Sequence, residues 1–134
     1  MRFEDLKIGM TETLSKTISE KDVLTFAEIS LDNNPLHIDE EAAKKGMFGR
    51  RVAHGIFVAS LISAVLGTKL PGEGTVYLGQ ELKFRRPVYL NDTVTAVVEV
   101  SELKPEKQIA ILKTVVVNQD GVEVITGTAT VMVK

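Results

Sequence analysis

The sequence predicts an α+β fold: helices in the first half, long antiparallel strands in the second, and one helix buried against the sheet. Three observations lead there. The first half carries apolar residues at helical spacing, punctuated by capping residues. After the turn-like cluster Pro71-Gly72-Glu73-Gly74 the chain changes to runs rich in valine and threonine, which favour strands. Between the two, Ile56 to Leu66 is apolar around nearly its whole circumference. Such a helix is enclosed by other elements rather than laid on a surface.

Taken in order, Thr11 to Lys16 is strand-compatible. Ser19 then caps a helix, with Asp22 three positions on to complete the box. Over Glu20 to Ser30, Val23, Phe26, Ala27 and Ser30 fall at helical spacing. Ser30-Leu31-Asp32-Asn33-Asn34-Pro35 ends that helix as a turn. Asp39 reads as the cap of a second, short helix, with Glu40 and Glu41 at its positive end and Gly46 closing it. His54-Gly55 opens the apolar helix, whose one interruption is a strip of small residues, Ser60, Ser63 and Gly67. Four strand-length runs follow: Tyr77 to Val88, Thr93 to Leu103, Gln108 to Val117 and Val122 to Val133. In Val94, Ala96, Val98 and Val100 the period of two is clean.

At 134 residues the chain is expected to form one domain, 1–134. Apolar residues make up 44% and charged residues 25%, an ordinary soluble balance. A net charge of -2 provides no global basic field, so nucleic acid is not an expected partner. No cysteine is present, which removes disulfides, thiolate nucleophiles and cysteine metal sites. Two histidines are too few for a histidine-rich metal centre. No apolar run follows Met1-Arg2-Phe3-Glu4-Asp5, and the uncharged stretch Val52 to Thr68 falls short of a membrane span. A cytoplasmic protein without a membrane partner is expected.

The candidate chemistry lies in Asp32-Asn33-Asn34-Pro35-Leu36-His37, an acid and a histidine bracketing a proline-stiffened turn. Spacing alone is unspecific. With 18 acids in 134 residues, roughly three histidines in four have an acid within five positions by composition. An Asx-type turn explains the asparagines equally well. Position strengthens the functional reading, because the pair faces a buried helix where proton-transfer groups can be shielded from water. At Gly55 the first helical N–H groups lack partners and carry the positive end of the dipole, as an oxyanion site requires. Ser60 and Ser63 have an ordinary alternative as hydroxyls bonded back along the helix. His54 is expected to transfer no proton, so a small uncharged replacement that keeps Gly55 in place should retain activity. Lys44, Lys45, Arg50, Arg51, Lys83, Arg85 and Arg86 are ordinary surface charges singly and phosphate contacts together.

Asp32-Asn33-Asn34-Pro35-Leu36-His37 with Ala42 and Ala43 resembles the hydratase-2 motif of (R)-specific enoyl-CoA hydratases, the MaoC-like branch of the hotdog fold. Ala53-His54-Gly55, Ala59-Ser60-Leu61, Leu70-Pro71-Gly72, Tyr77-Leu78-Gly79-Gln80, Phe84 with Pro87-Val88, and Asp92-Thr93-Val94-Thr95-Ala96 follow in the expected order. The resemblance covers essentially the whole chain. It is strongest to the short single-hotdog hydratases that supply polyhydroxyalkanoate monomers. One departure is Leu31, where many members have glycine.

The resemblance implies a long central helix wrapped by a curved antiparallel sheet, a homodimer, and an acyl-CoA thioester substrate. It implies Asp32 and His37 as the catalytic dyad, the Gly55 N–H polarising the thioester carbonyl, and Ser63 and Asn34 positioning the reactants. Phe57 and Leu61 would line the acyl pocket. No cofactor and no metal are implied, since a thioester already acidifies its α-carbon. Three other readings remain open. One is a 3-hydroxyacyl-acyl-carrier-protein dehydratase, the same chemistry reversed. The others are a hotdog thioesterase and a non-catalytic acyl-CoA binding domain.

Overall fold

The computed structural model describes residues 1–134. Strand β1 (Thr11–Thr17) leads into helix α1 (Glu20–Ser30), then two short helices, α2 (Pro35–Ile38) and α3 (Glu40–Lys44), and the long helix α4 (Gly55–Thr68). Strands β2 (Val76–Phe84), β3 (Thr93–Lys104), β4 (Ile109–Val117) and β5 (Glu123–Met132) complete a five-stranded antiparallel sheet of order β1-β3-β4-β5-β2. Helix α4 packs on β3, β1, β4 and β2. This is the hotdog arrangement that the resemblance implies.

The core follows from the two periodicities. On β3, Val94, Ala96, Val98 and Val100 are fully buried and face the helix. On α4, Val58, Ile62, Val65 and Leu66 answer them. Removing one such side chain from water stabilises the fold by roughly 1.5–3 kcal/mol. Not all of α4 is enclosed: Ile56, Ser60, Ser63 and Gly67 form an exposed stripe at intervals of four, three and four. Next to it, the edge strand β2 leaves Val76, Tyr77, Leu78 and Phe84 exposed.

Two expected boundaries differ. The strand expected over Tyr77 to Val88 stops at Phe84, because Arg85 and Arg86 both direct their backbone N–H groups at the Val124 carbonyl and Pro87 has none to offer. The turn expected at Asn33-Asn34-Pro35 instead starts α2, with Asn34 as the cap and Pro35 in the first helical position. Proline suits that position because its missing N–H would have no helical partner. Asp39 caps α3 as expected, accepting from Glu41 and Ala42 N–H at 3.0 and 3.2 Å.

Candidate active site

Helix α1 starts on the expected box, with Ser19 and Asp22 exchanging side-chain and backbone bonds. It ends at Leu31, whose φ of 66° lies in the left-handed region and whose side chain is 81% exposed. An L-residue there costs roughly 1–2 kcal/mol, so the departure from glycine strains the backbone immediately before Asp32. Local side chains fasten the turn. Ser30 Oγ donates to the Phe26 carbonyl at 2.6 Å and accepts from Asp32 N–H at 3.2 Å. Asp32 Oδ1 accepts from Asn34 N–H at 3.3 Å, and Asn34 Oδ1 accepts from Leu36 N–H at 3.2 Å.

One turn of α2 carries His37 inward, where it is buried. Its Nδ1 lies 2.7 Å from the Val52 carbonyl. A carbonyl only accepts, so Nδ1 bears the proton and Nε2 keeps its lone pair. Burial pushes the His37 pKa below its ordinary 6.5, with the neighbouring His54 acting the same way; the Val52 carbonyl and Asp32 oppose them. At neutral pH His37 is therefore a neutral base with one fixed tautomer.

Two residues beside the pair make contacts that the sequence does not signal. Arg51, expected among the surface cations, is buried. Its Nε donates to the His37 carbonyl at 2.8 Å and its Nη1 pairs with Glu20 at 2.5 Å, which ties α2 to the start of α1. His54 is 1% exposed. Its Nε2 lies 3.0 Å from the Asp32 carbonyl, and its ring stacks on His37 with centroids 3.8 Å apart. Sequence spacing cannot find these contacts, because His54 lies 22 positions from Asp32 and meets it only after α4 docks.

Asp32, His37 and Gly55 line one cleft of about 490 Å³, with Val52, Ala53, Ile56, Phe84 and Pro87 supplying apolar wall. Gly55 begins α4, whose first intrahelical bond is Val58 N–H to the His54 carbonyl. The N–H groups before it are donors at the positive end of the helix. A Cβ on Gly55 would stand 2.7 Å from the Phe84 ring, so glycine lets that ring pack directly against the start of α4. Arg85 and Arg86 also border the cleft, whereas Arg50 lies over the Tyr89 ring at 3.8 Å.

The other expected site residues fall elsewhere in the single chain. Asn34 is exposed and caps α2. Ser63 is exposed on the α4 stripe, and Ser60 Oγ donates to the Phe57 carbonyl at 2.5 Å. Leu61 is core, and Phe57 stacks on Phe26 at 5.2 Å; neither borders the cleft. Asp32, His37 and His54 bring an oxygen and two ring nitrogens within 4.8 Å of one another. That is a ligand set by residue type, although His37 Nδ1 and His54 Nε2 each already face a main-chain carbonyl.

Residues 6–123 match the family described as the MaoC-like domain. The chain is 50% identical over 131 residues to an (R)-specific enoyl-CoA hydratase of Rhodospirillum rubrum, covering 98% of this chain and 90% of that protein. It is 56% identical over 106 residues to a 3-hydroxybutyryl-CoA dehydratase of Methylorubrum extorquens, covering 79% and 68%. The structure of an (R)-hydratase from A. caviae involved in PHA biosynthesis superposes with a TM-score of 0.95 at 44% identity. That alignment covers 98% of this chain and 99% of that one.

Proposed function

This chain belongs to the MaoC-like domain family, and on that premise we propose that residues 1–134 act as one (R)-specific enoyl-CoA hydratase domain, a hydro-lyase. Water adds reversibly across the double bond of a trans-2-enoyl-CoA to give the (R)-3-hydroxyacyl-CoA. One observation carries the reading: an acid, a neutral histidine with a free Nε2 and a helix N-terminus meet in one cleft that also has apolar wall.

Asp32 and His37 hold the water. As its oxygen bonds to Cβ, the dyad takes a proton and the C=C electron pair moves onto the thioester carbonyl. Gly55 N–H stabilises that enolate oxygen. Such a donor is worth about 3–4 kcal/mol where water is excluded. The dyad then returns a proton to Cα, so atoms and charge balance without a redox partner. The apolar wall accepts the acyl chain, and Arg85 and Arg86 border the cleft where a phosphorylated carrier would enter.

CoA is favoured over acyl carrier protein because the two curated relatives above are named for CoA thioesters. Incubation with crotonyl-CoA should remove the enoyl absorbance without releasing thiol. Thiol release would indicate a thioesterase, and an unchanged spectrum a binding domain.

The working enzyme is a homodimer in this reading. The exposed α4 stripe and the apolar edge strand β2 form a face that a second copy would cover, bringing Ser63 off the surface. The cytoplasm is the proposed compartment. No helix is long and apolar enough to cross a membrane.

A further inference from the structure

We propose that His54 is a positioning residue for the dyad: its imidazole, fixed as the Nε2–H tautomer, holds the Asp32 main chain and braces the His37 ring. The role rests on the hydratase reading above and adds a residue to it, in place of the expectation that a small uncharged residue at position 54 would retain activity.

Asp32 lies in a turn with little anchorage of its own. Leu31, Asp32, Asn33 and Asn34 are all exposed, and the bonds that Asp32 itself makes to Ser30 and Asn34 stay within residues 30–34. The bond from His54 Nε2 to the Asp32 carbonyl, at 3.0 Å, crosses 22 positions and ties that turn to the start of α4. The ring itself cannot swing away. His37 stacks against it at 3.8 Å, and Phe26 meets it edge-on at 4.9 Å and 60°. His54 also immediately precedes Gly55, so one residue sets both the dyad and the N–H group opposite it.

The same contacts dictate the tautomer. The Asp32 carbonyl requires a proton on Nε2, whereas Nδ1 is buried without any partner. A proton on Nδ1 in place of Nε2 would leave an unpaired N–H in the interior and turn the Nε2 lone pair toward the Asp32 carbonyl. The two histidines of the chain hold opposite tautomers, His37 with Nδ1–H and His54 with Nε2–H.

Two measurements test this. Near neutral pH, the ¹⁵N signals of the full-length protein should show His54 protonated at Nε2 alone and His37 at Nδ1 alone. With only two histidines, each single variant assigns the other's signals. A charged or Nδ1–H His54 overturns the proposal. For kinetics, His54→Phe keeps a flat ring without a donor, and His54→Gln keeps a donor at similar reach. Misplacing the acid by a fraction of an ångström to an ångström should lower kcat about 10- to 100-fold in folded His54→Phe, with KM nearly unchanged. His54→Gln should recover most of that loss.

A folded His54→Phe enzyme with parental kcat would overturn the role. So would a His54→Gln variant no faster than His54→Phe, because a purely structural site does not distinguish the donor. If the parent fails to hydrate crotonyl-CoA, the functional reading fails, while the ¹⁵N tautomers still decide whether the lock exists.

Discussion

The helix-and-sheet core and the segment from Leu31 to His54 are held by different forces. In the core, fully buried valines and alanines repeat at periods of two and 3.6, and backbone ladders satisfy the polar groups. Between Leu31 and His54 the elements are four and five residues long. They are held to one another by single side-chain-to-backbone bonds, His37 to Val52, Arg51 to His37 and His54 to Asp32, and to the rest of the fold by the Arg51–Glu20 ion pair and the bond from Ala53 N–H to the Val88 carbonyl. The core is redundant and apolar, whereas the segment is specific and polar. Substitution in the first should cost stability, and in the second chemistry.

The largest expected effect is chemical. Asp32→Asn and His37→Asn should each lower kcat by about 10²–10⁴, and the double variant should be little worse than the poorer single one. Circular dichroism and thermal melting should find all three folded. A melting loss as large as the kinetic one would erase the contrast between the regions. The converse experiment is Ile62→Ala. Deleting a fully buried core side chain should cost about 2–5 kcal/mol in a urea titration, while kcat per folded molecule stays near the parent's. A large fall in kcat with unchanged stability would contradict it.

Much of the core was legible because periodicity is a local signal. The bounds of α1, the Ser19 and Asp39 caps and the alternation of β3 follow from neighbours in sequence. The site was legible only in part. Asp32, His37 and Gly55 stand out by residue type and resemblance, and they share a cleft. Arg51 and His54 do not stand out, because their roles depend on which carbonyl lies beside them after folding. Ser63, Phe57 and Leu61 lie away from the cleft of the single chain; their expected roles rest on resemblance alone.

A pH profile sharpens the comparison further. Burial lowers the His37 pKa below 6.5, so the acid limb of kcat/KM should turn over below that value and disappear from the residual activity of His37→Asn. The same shift makes a stability statement. Between the lowered pKa and 6.5 the unfolded chain binds more protons than the folded one. The contribution of His37 to stability is thus fully present above pH 6.5 and lost as pH falls through the folded pKa. An inflection at or above 6.5 would contradict the buried, neutral base.

The smallest expected effect is at Leu31. Glycine relieves the left-handed backbone but adds freedom to the unfolded chain. Leu31→Gly should therefore raise stability by at most about 1 kcal/mol, leaving kcat near the parent's. A clear loss of stability on thermal melting would mean that the exposed leucine makes a contact worth more than the strain.

The central claim is stereospecific hydration at this cleft, and chiral analysis of the product tests it most directly. The purified protein is given crotonyl-CoA in excess, and the 3-hydroxybutyryl thioester is resolved into its enantiomers before equilibrium. The (R) enantiomer alone is expected, formed without thiol release. Formation of the (S) enantiomer, a racemic product or free crotonate would contradict it.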